Sequence, residues 1–361
     1  MLHAYRSQSS RSSAPASATA APGASPYVFV RKSAPRPSAV FDTYWRFAVE
    51  RQAIYHRRVR GASSPWTTDS ILQQHKFTNA YRASDRVSQY LIREVIYGGG
   101  FDWKSTVLRV LLFKIFNKIE TWKLLEHVFG TIDAKSFNVE AFANVLEQAR
   151  STGGSIYSAA YIMPSGVSAG PRGRKHVMHL ELLASEIAKG LPADLLEAPT
   201  MEAAYQRLLS VPSFGRFLAY QFIIDLNYTN ELSFSEMEFV VPGPGARDGI
   251  RKCFVDLGDY DETNLIRWVT EKQSQEFERL GLKFSDLWGR PLQLIDCQNL
   301  FCEVDKYARV AHPEVSGISG RTRIKQKFAV NMQPVPSPWF PPKWKINSAI
   351  PGVAQTGRSR K

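Results

Sequence analysis

The chain has 361 residues, 44% hydrophobic and 12% aromatic, enough for one large or two ordinary domains with a substantial core. Its formal net charge of +13 sits at the ends: residues 1–41 and 315–361 hold 14 of the 46 bases and no acid, while the body balances 32 bases against 33 acids. The basic character alone therefore does not make the body a nucleic-acid binder, and three cysteines without paired spacing exclude a disulfide scaffold or a four-cysteine iron–sulfur loop.

Residues 1–40, rich in Ser, Ala, Pro and Arg, are expected to be disordered; the same bias also fits an organelle transit peptide. Phe41 to Arg60 carries Phe41, Trp45, Ala48 and Ile54 at helical spacing, with Gly61 as the stop. Thr68 or Asp69 caps a helix entering Ile71 and Leu72. Further helices are expected at 84–96, 104–117, 120–129 and 136–150, then a strand over Ser155 to Met163. Helices resume at His179 to Lys189 and at Met201 to Leu209, the latter capped by Thr200. After Arg216 to Asp225 comes the loop Val241-Pro242-Gly243-Pro244-Gly245, then helices at 246–254, 261–280 and 291–310. From residue 313 a basic tail with Pro334, Pro336, Pro338, Pro341 and Pro342 forbids regular structure. The fold class is all-α, one helical domain over 41–312 between two disordered tails.

Within this order, Val211-Pro212-Ser213-Phe214-Gly215-Arg216-Phe217-Leu218-Ala219 reads as a hairpin between two helices. Pro212 sets the turn, Gly215 permits close backbone approach with helix amides facing a phosphate, and Ala219 lets the helices touch. Ser213, Gly215 and Arg216 are the candidate DNA contacts; an ordinary corner of a helical core is the other reading. These nine positions resemble the hairpin of the helix-hairpin-helix DNA glycosylases, with Ser213 where that family usually has Gly.

Three other segments carry candidate chemistry. The helix through Arg51, Arg57, Arg58 and Arg60 is either a phosphate-contacting face or a solvated one. Trp66 and Asp69 form a capped turn, followed by Asn79, Arg82 and Asp85 near one face. In the last helix Asp296, Asn299, Glu303 and Lys306 share a side, either an active-site wall or an internal ion-pair ladder. A carboxylate there can activate a nucleophile and Lys306 can orient a phosphate.

These segments together, with Asp225-Leu226-Asn227-Tyr228 and the Pro-Gly-Pro-Gly loop, resemble the helical domain found with 5-hydroxymethyluracil DNA kinases and in DNA base hypermodification proteins. Their relatives include the α-glutamyl/putrescinyl thymine pyrophosphorylases. The resemblance covers about residues 41–312. It implies a protein that acts on a flipped modified thymine or uracil, by displacing pyrophosphate from the base's methylene carbon with an amine or water. DNA is the expected partner, with other base-modification enzymes such as a 5-hydroxymethyluracil DNA kinase. A non-catalytic DNA-binding subunit and a glycosylase excising damaged bases are the alternatives.

The kinase chemistry itself is not expected here, because the nearest string to a phosphate-binding loop, Gly170 to Lys175, lacks its spacing and hydroxyl. In the glycosylases a catalytic Asp follows an apolar pair after the hairpin; here the pair Val240-Val241 is followed by Pro242. Asp248 or Glu238 is the substitute, unless each is merely a capping or surface acid. Gly243 and Gly245 either admit a nucleotide or make a rigid turn. His176 and His179 are read as a solvated or phosphate-contacting edge. No metal and no cofactor is expected. No apolar run reaches the roughly 20 residues of a membrane span, so no membrane partner is expected. The expected compartment is intracellular and reducing, the nucleus in a eukaryote.

Overall fold

Two helices made almost wholly of buried residues set the architecture: Trp103–Phe116 and Arg216–Leu226. The structure is a computed structural model that describes residues 33–159, 163–164, 174–331 and 335–351. Among these residues it is mostly helical. In chain order the helices are α1 (Ala39–Val59), α2 (Ser70–Gln74), α3 (Arg86–Tyr90), α4 (Trp103–Phe116), α5 (Ile119–Phe129), α6 (Val139–Ser151) and α7 (Lys175–Ala188). Then follow α8 (Leu191–Glu197), α9 (Met201–Leu209), α10 (Arg216–Leu226), α11 (Pro244–Cys253), α12 (Glu262–Arg279) and α13 (Leu294–Ala311). The α3 helix runs into a π-helical turn over Leu91–Ile96, so the single helix expected at 84–96 is two kinds of helix in series.

Local chemistry explains the ends. The Asp69 carboxylate accepts the amides of Ile71 and Leu72, Asp102 that of Ser105, Asn138 that of Ala141, and Thr200 that of Ala203. Each cap satisfies a donor that has no partner inside the helix. The α4 helix stops where Asn117 turns left-handed at φ 48°.

One group of helices gathers around α13, with α1, α11 and α12 against it. The second is built on α4 and α10, with α5 to α9 around them. The tightest seam lies between α11 and α13. Gly249 faces it, and a Cβ there would stand 2.0 Å from the Phe301 carbonyl oxygen. Only a residue without a side chain fits that distance.

Several sequence expectations change. Among the described residues of 155–163 there is no strand; the main chain there bonds to helix ends instead, Ser158 N–H to Phe116 O and Ile156 O to the Thr121 hydroxyl. Residues 160–162 lie outside the described residues. Among the described residues, two strands, β1 (Arg36–Pro37) and β2 (Phe254–Asp256), pair antiparallel and pin the start of α1 to the end of α11. His176 and His179 are buried, each 1% exposed, and His179 is fixed by the Tyr157 hydroxyl at 2.8 Å, so neither forms a solvated edge.

The ends of the chain divide similarly. Residues 1–32 and 352–361 of the expected tails lie outside the described residues. Residues 335–351, expected to lack regular structure, contain two 3-10 turns, Pro342–Trp344 and Asn347–Ala349, and bury Phe340, Ile346 and Ile350. Proline forbids a ladder of hydrogen bonds, but it does not stop apolar side chains from docking.

Gly249→Ala is expected to strain the α11–α13 seam by about 1–3 kcal/mol, the usual cost of overpacking against backbone that cannot yield. Gly245→Ala, whose Cβ would meet the Cys302 sulfur at 3.2 Å, is expected to cost less. Urea denaturation of the two variants checks the order.

Candidate functional site

The segment 76–85 lies along α13 and uses almost every polar group that the last helix offers. Glu303 accepts the Thr78 amide at 2.9 Å and the Lys306 ammonium at 2.8 Å. Lys306 also donates to the Lys76 carbonyl at 3.1 Å. Asn299 donates to the Thr78 hydroxyl at 3.0 Å and to the Asn79 carbonyl at 3.3 Å. Asp296 accepts the Gln293 amide, closing a capping box on α13, and the Arg82 amide at 2.9 Å. The four residues therefore do share a side, and that side holds a strip of main chain in place.

Arg82 then turns its side chain the other way. Its guanidinium makes two bonds to Asp225, at 2.6 and 2.9 Å, and reaches Gln221 and the Tyr228 hydroxyl at 3.0 Å each. Lys114 joins the same carboxylate at 3.3 Å. All three charged groups are buried. Burial alone raises a carboxyl pKa, but the charges of Arg82 and Lys114 overcome it and hold Asp225 below the usual carboxylate range. Burial lowers Lys114 to about 8, against the pull of Asp225.

Asp85, half-buried, accepts the Asn79 amide at 2.9 Å. Burial raises it to about 6, and Glu303 nearby adds to the rise while Arg51 and Arg82 oppose it. Arg51 is buried and spends its guanidinium on the Thr78 carbonyl and the Asn79 side chain, so it is not on a phosphate-contacting face. Arg57 holds Glu50 and the Trp66 carbonyl; Arg58 lies over the Trp66 ring at 4.9 Å. Asp69, besides capping α2, accepts the Tyr307 hydroxyl at 2.7 Å. Trp66 is half-buried.

On an adjacent face of α13 stands the start of α11. Gly243 packs under the Phe217 ring and near the Gln298 amide, and Gly245 packs on Cys302. Asp248 is buried and accepts the Ser319 amide at 2.8 Å. Burial would raise its carboxyl, but the hydrogen bonds from Ser319 prevail and hold it low. Glu238 lines a separate cavity of about 360 Å³ with Leu196, Pro199, Glu231 and Phe234. That cavity is not formed by the α13 side chains.

The corner between α9 and α10 is at the surface. Pro212, Gly215 and Arg216 are exposed, whereas Val211, Phe214 and Leu218 anchor it in the core. Ser213 turns left-handed, at φ 69°, a conformation that favours glycine. Gly215 has an ordinary φ of −73°, and a Cβ there would meet nothing within 4 Å. Its missing side chain therefore keeps open space outside the protein.

Over residues 38–317 the chain matches the family described as the 5-hmdU DNA kinase, helical domain. The chain belongs to this family. Among curated proteins it is similar to the 5-hmdU DNA kinase of Bacillus phage SP10, with 26% identity over 298 residues. The match takes in 78% of this chain and 46% of that relative, so the chain spans less than half the relative's length. No solved structure matches. In this 5-hmdU DNA kinase helical domain, every sequence-derived candidate segment, from the Arg57 helix to the α13 wall, falls inside the matched span.

Sequence reasoning missed Gln221 and Lys114, placed Asp225 only within the family motif, and read Arg51 as a candidate phosphate contact rather than as part of this site. A signal for the buried pair existed. Asp225 and Lys114 interrupt runs that are otherwise fit for a core, and a charge in such a run is rarely left without a partner.

Asp296 supplies a pH test. Burial raises its carboxyl to about 7 despite the two main-chain donors, so the folded chain keeps a proton that the unfolded chain releases. Its stabilising contribution is full below about pH 4 and is lost as pH rises through about 7. Asp85 works in the same direction. Asp296→Asn is expected to flatten the fall in melting temperature between pH 4 and 7; equal slopes in parent and variant would contradict this assignment.

Proposed function

We propose that this helical domain binds DNA at the α9–α10 corner and takes part in hypermodification of thymine-type bases, with 5-hydroxymethyluracil as the base class. The observation that carries the reading is the corner's construction. Its apolar residues are locked inward, while Gly215 opens α10 at the surface with no side chain in front of it. Gly243 opens α11 next to it but is buried under the Phe217 ring, which joins the two starts. Two helix N-termini side by side, with Arg216 and Arg247 exposed beside them, present partial positive charge to a sugar–phosphate strand. Such a grip is independent of sequence and leaves base choice to a pocket that receives a base turned out of the duplex. The family membership and the relative's name support the choice of base.

The polar wall divides the remaining readings. Asp248, Asp296 and Glu303 each hold main-chain amides, which suits a domain that binds and positions DNA while chemistry comes from a partner such as a DNA kinase. One observation favours a catalytic role. Asp85, raised to about 6 beside Glu303, is a carboxyl poised to exchange a proton near neutral pH.

Gly215→Glu tests the grip. It is expected to weaken binding to a short duplex at least tenfold, a loss of about 1.4 kcal/mol, with an unchanged melting temperature. Fluorescence anisotropy at two salt concentrations reads both affinity and salt slope. Equal binding by a folded variant sinks the assignment of the corner. The catalytic role is read by mass spectrometry of nucleosides from DNA carrying 5-hydroxymethyluracil or its pyrophosphorylated form. A product that disappears with Asp85→Asn and Glu303→Gln together supports it; no product with the intact protein leaves positioning; abasic sites on lesion-bearing DNA point to base excision.

A further inference from the structure

Residues 335–351 lie beyond the span shared with the family, yet they are strapped across it. Arg93 donates to the Ser337 carbonyl at 3.1 Å, and Gln89 accepts the Trp339 amide at 2.9 Å. The Trp339 ring meets Tyr97 edge to face with centroids 5.0 Å apart. Phe340, fully buried, meets Trp288. The tip is closed on itself: the Asn347 side chain accepts the Phe340 amide at 2.8 Å and donates to the Phe340 carbonyl at 2.7 Å.

At the centre of this strap sits Trp344. The Arg290 guanidinium lies 3.8 Å from the centroid of its ring, and the Tyr228 ring meets it edge-on at 5.7 Å. Arg290 is held by Glu236 at 2.7 Å. Tyr228 is held by its hydroxyl, which accepts from Arg82. The neighbouring Lys343 ammonium fills the Leu232 carbonyl at 2.7 Å and that of Asn227. Beneath the strap, therefore, lie a flat cation for stacking, an aromatic edge and main-chain acceptors. That combination recognises a planar heteroaromatic ring with an N–H on its edge, which describes a uracil-type base.

We propose that the Arg290–Tyr228 site is a nucleobase site and that Trp344 occupies it as an internal surrogate, so the strap must lift before a base enters. The proposal rests on the reading that a base leaves the duplex, and it deepens that reading by naming the receiving site and what guards it.

The test uses the full chain and two duplexes, one fully paired and one with a central mispaired 5-hydroxymethyluracil, whose extrusion costs less. Trp344→Ala is expected to tighten binding of the mispaired duplex by about tenfold, as removing an occupant that fills the site some nine-tenths of the time requires. Binding of the paired duplex stays as in the parent. Trp344→Phe retains the plug and keeps parent affinity, which separates plugging from loss of fold. Adding Arg290→Ala to Trp344→Ala removes the gain. An unchanged ratio of the two affinities in folded Trp344→Ala overturns the proposal.

Failure of the parent to bind paired DNA strikes the corner instead, and a second measurement then decides the site. 5-Hydroxymethyl-2′-deoxyuridine alone is expected to speed hydrogen exchange at the Trp339 amide, which bonds across the strap's edge to Gln89, in the parent and not in Arg290→Ala. No acceleration in the parent overturns the proposal.

Discussion

The buried pair of Arg82 and Asp225 is the constraint on which the rest depends. Arg82 gives its amide to Asp296 at the start of α13 and its guanidinium to Asp225 near the end of α10, so one residue joins both groups of helices. Ion pairs this deep gain little net stability, because desolvation offsets attraction; breaking one from a single side typically costs about 3–5 kcal/mol. What the pair provides is register. A bidentate fork accepts one geometry, and Lys114 from α4 and Gln221 from α10 hold that geometry from two more directions. The surface corner at the front of α10 is held both by its own anchors, Val211, Phe214 and Leu218, and by the fixed back of the same helix.

The close seam of α11 on α13 is the second constraint. Gly249 brings the helices so near that α11's first turn arrives beside α10's first turn, with Phe217 on Gly243. Two helix starts are thus placed by packing far from the surface they open on. The α13 wall, in turn, shapes the 76–85 strip rather than an open cleft. Its polar residues act first on the protein's own backbone, and Asp85 beside it combines a raised carboxyl with partial exposure.

Much of this was legible in the sequence where the information is local. Apolar spacing marked α1, α4, α9, α10, α12 and α13 within a few residues, and Asp69 (one of two candidates) and Thr200 marked the caps of α2 and α9. Pro212 and Gly215 marked the corner, and the spacing of Asn299, Glu303 and Lys306 marked a common face. What that face touches was not legible, since Thr78 and Asn79 are more than two hundred residues away. Arg82 was read as a pocket residue, but no pattern pairs it with a carboxylate 143 positions on. The prolines after residue 333 concealed the docking of Phe340, Ile346 and Ile350, because the rule they obey concerns hydrogen-bond ladders rather than burial.

The reciprocal amide bonds between Asn347 and Phe340 give the strap's tip a closure of its own. A segment tied in this way departs from its seat as one piece, since opening the loop and leaving the surface are separate costs. Trp344 and Lys343 would then vacate together, like a cork and its wire, and the change between covered and uncovered would be abrupt rather than graded.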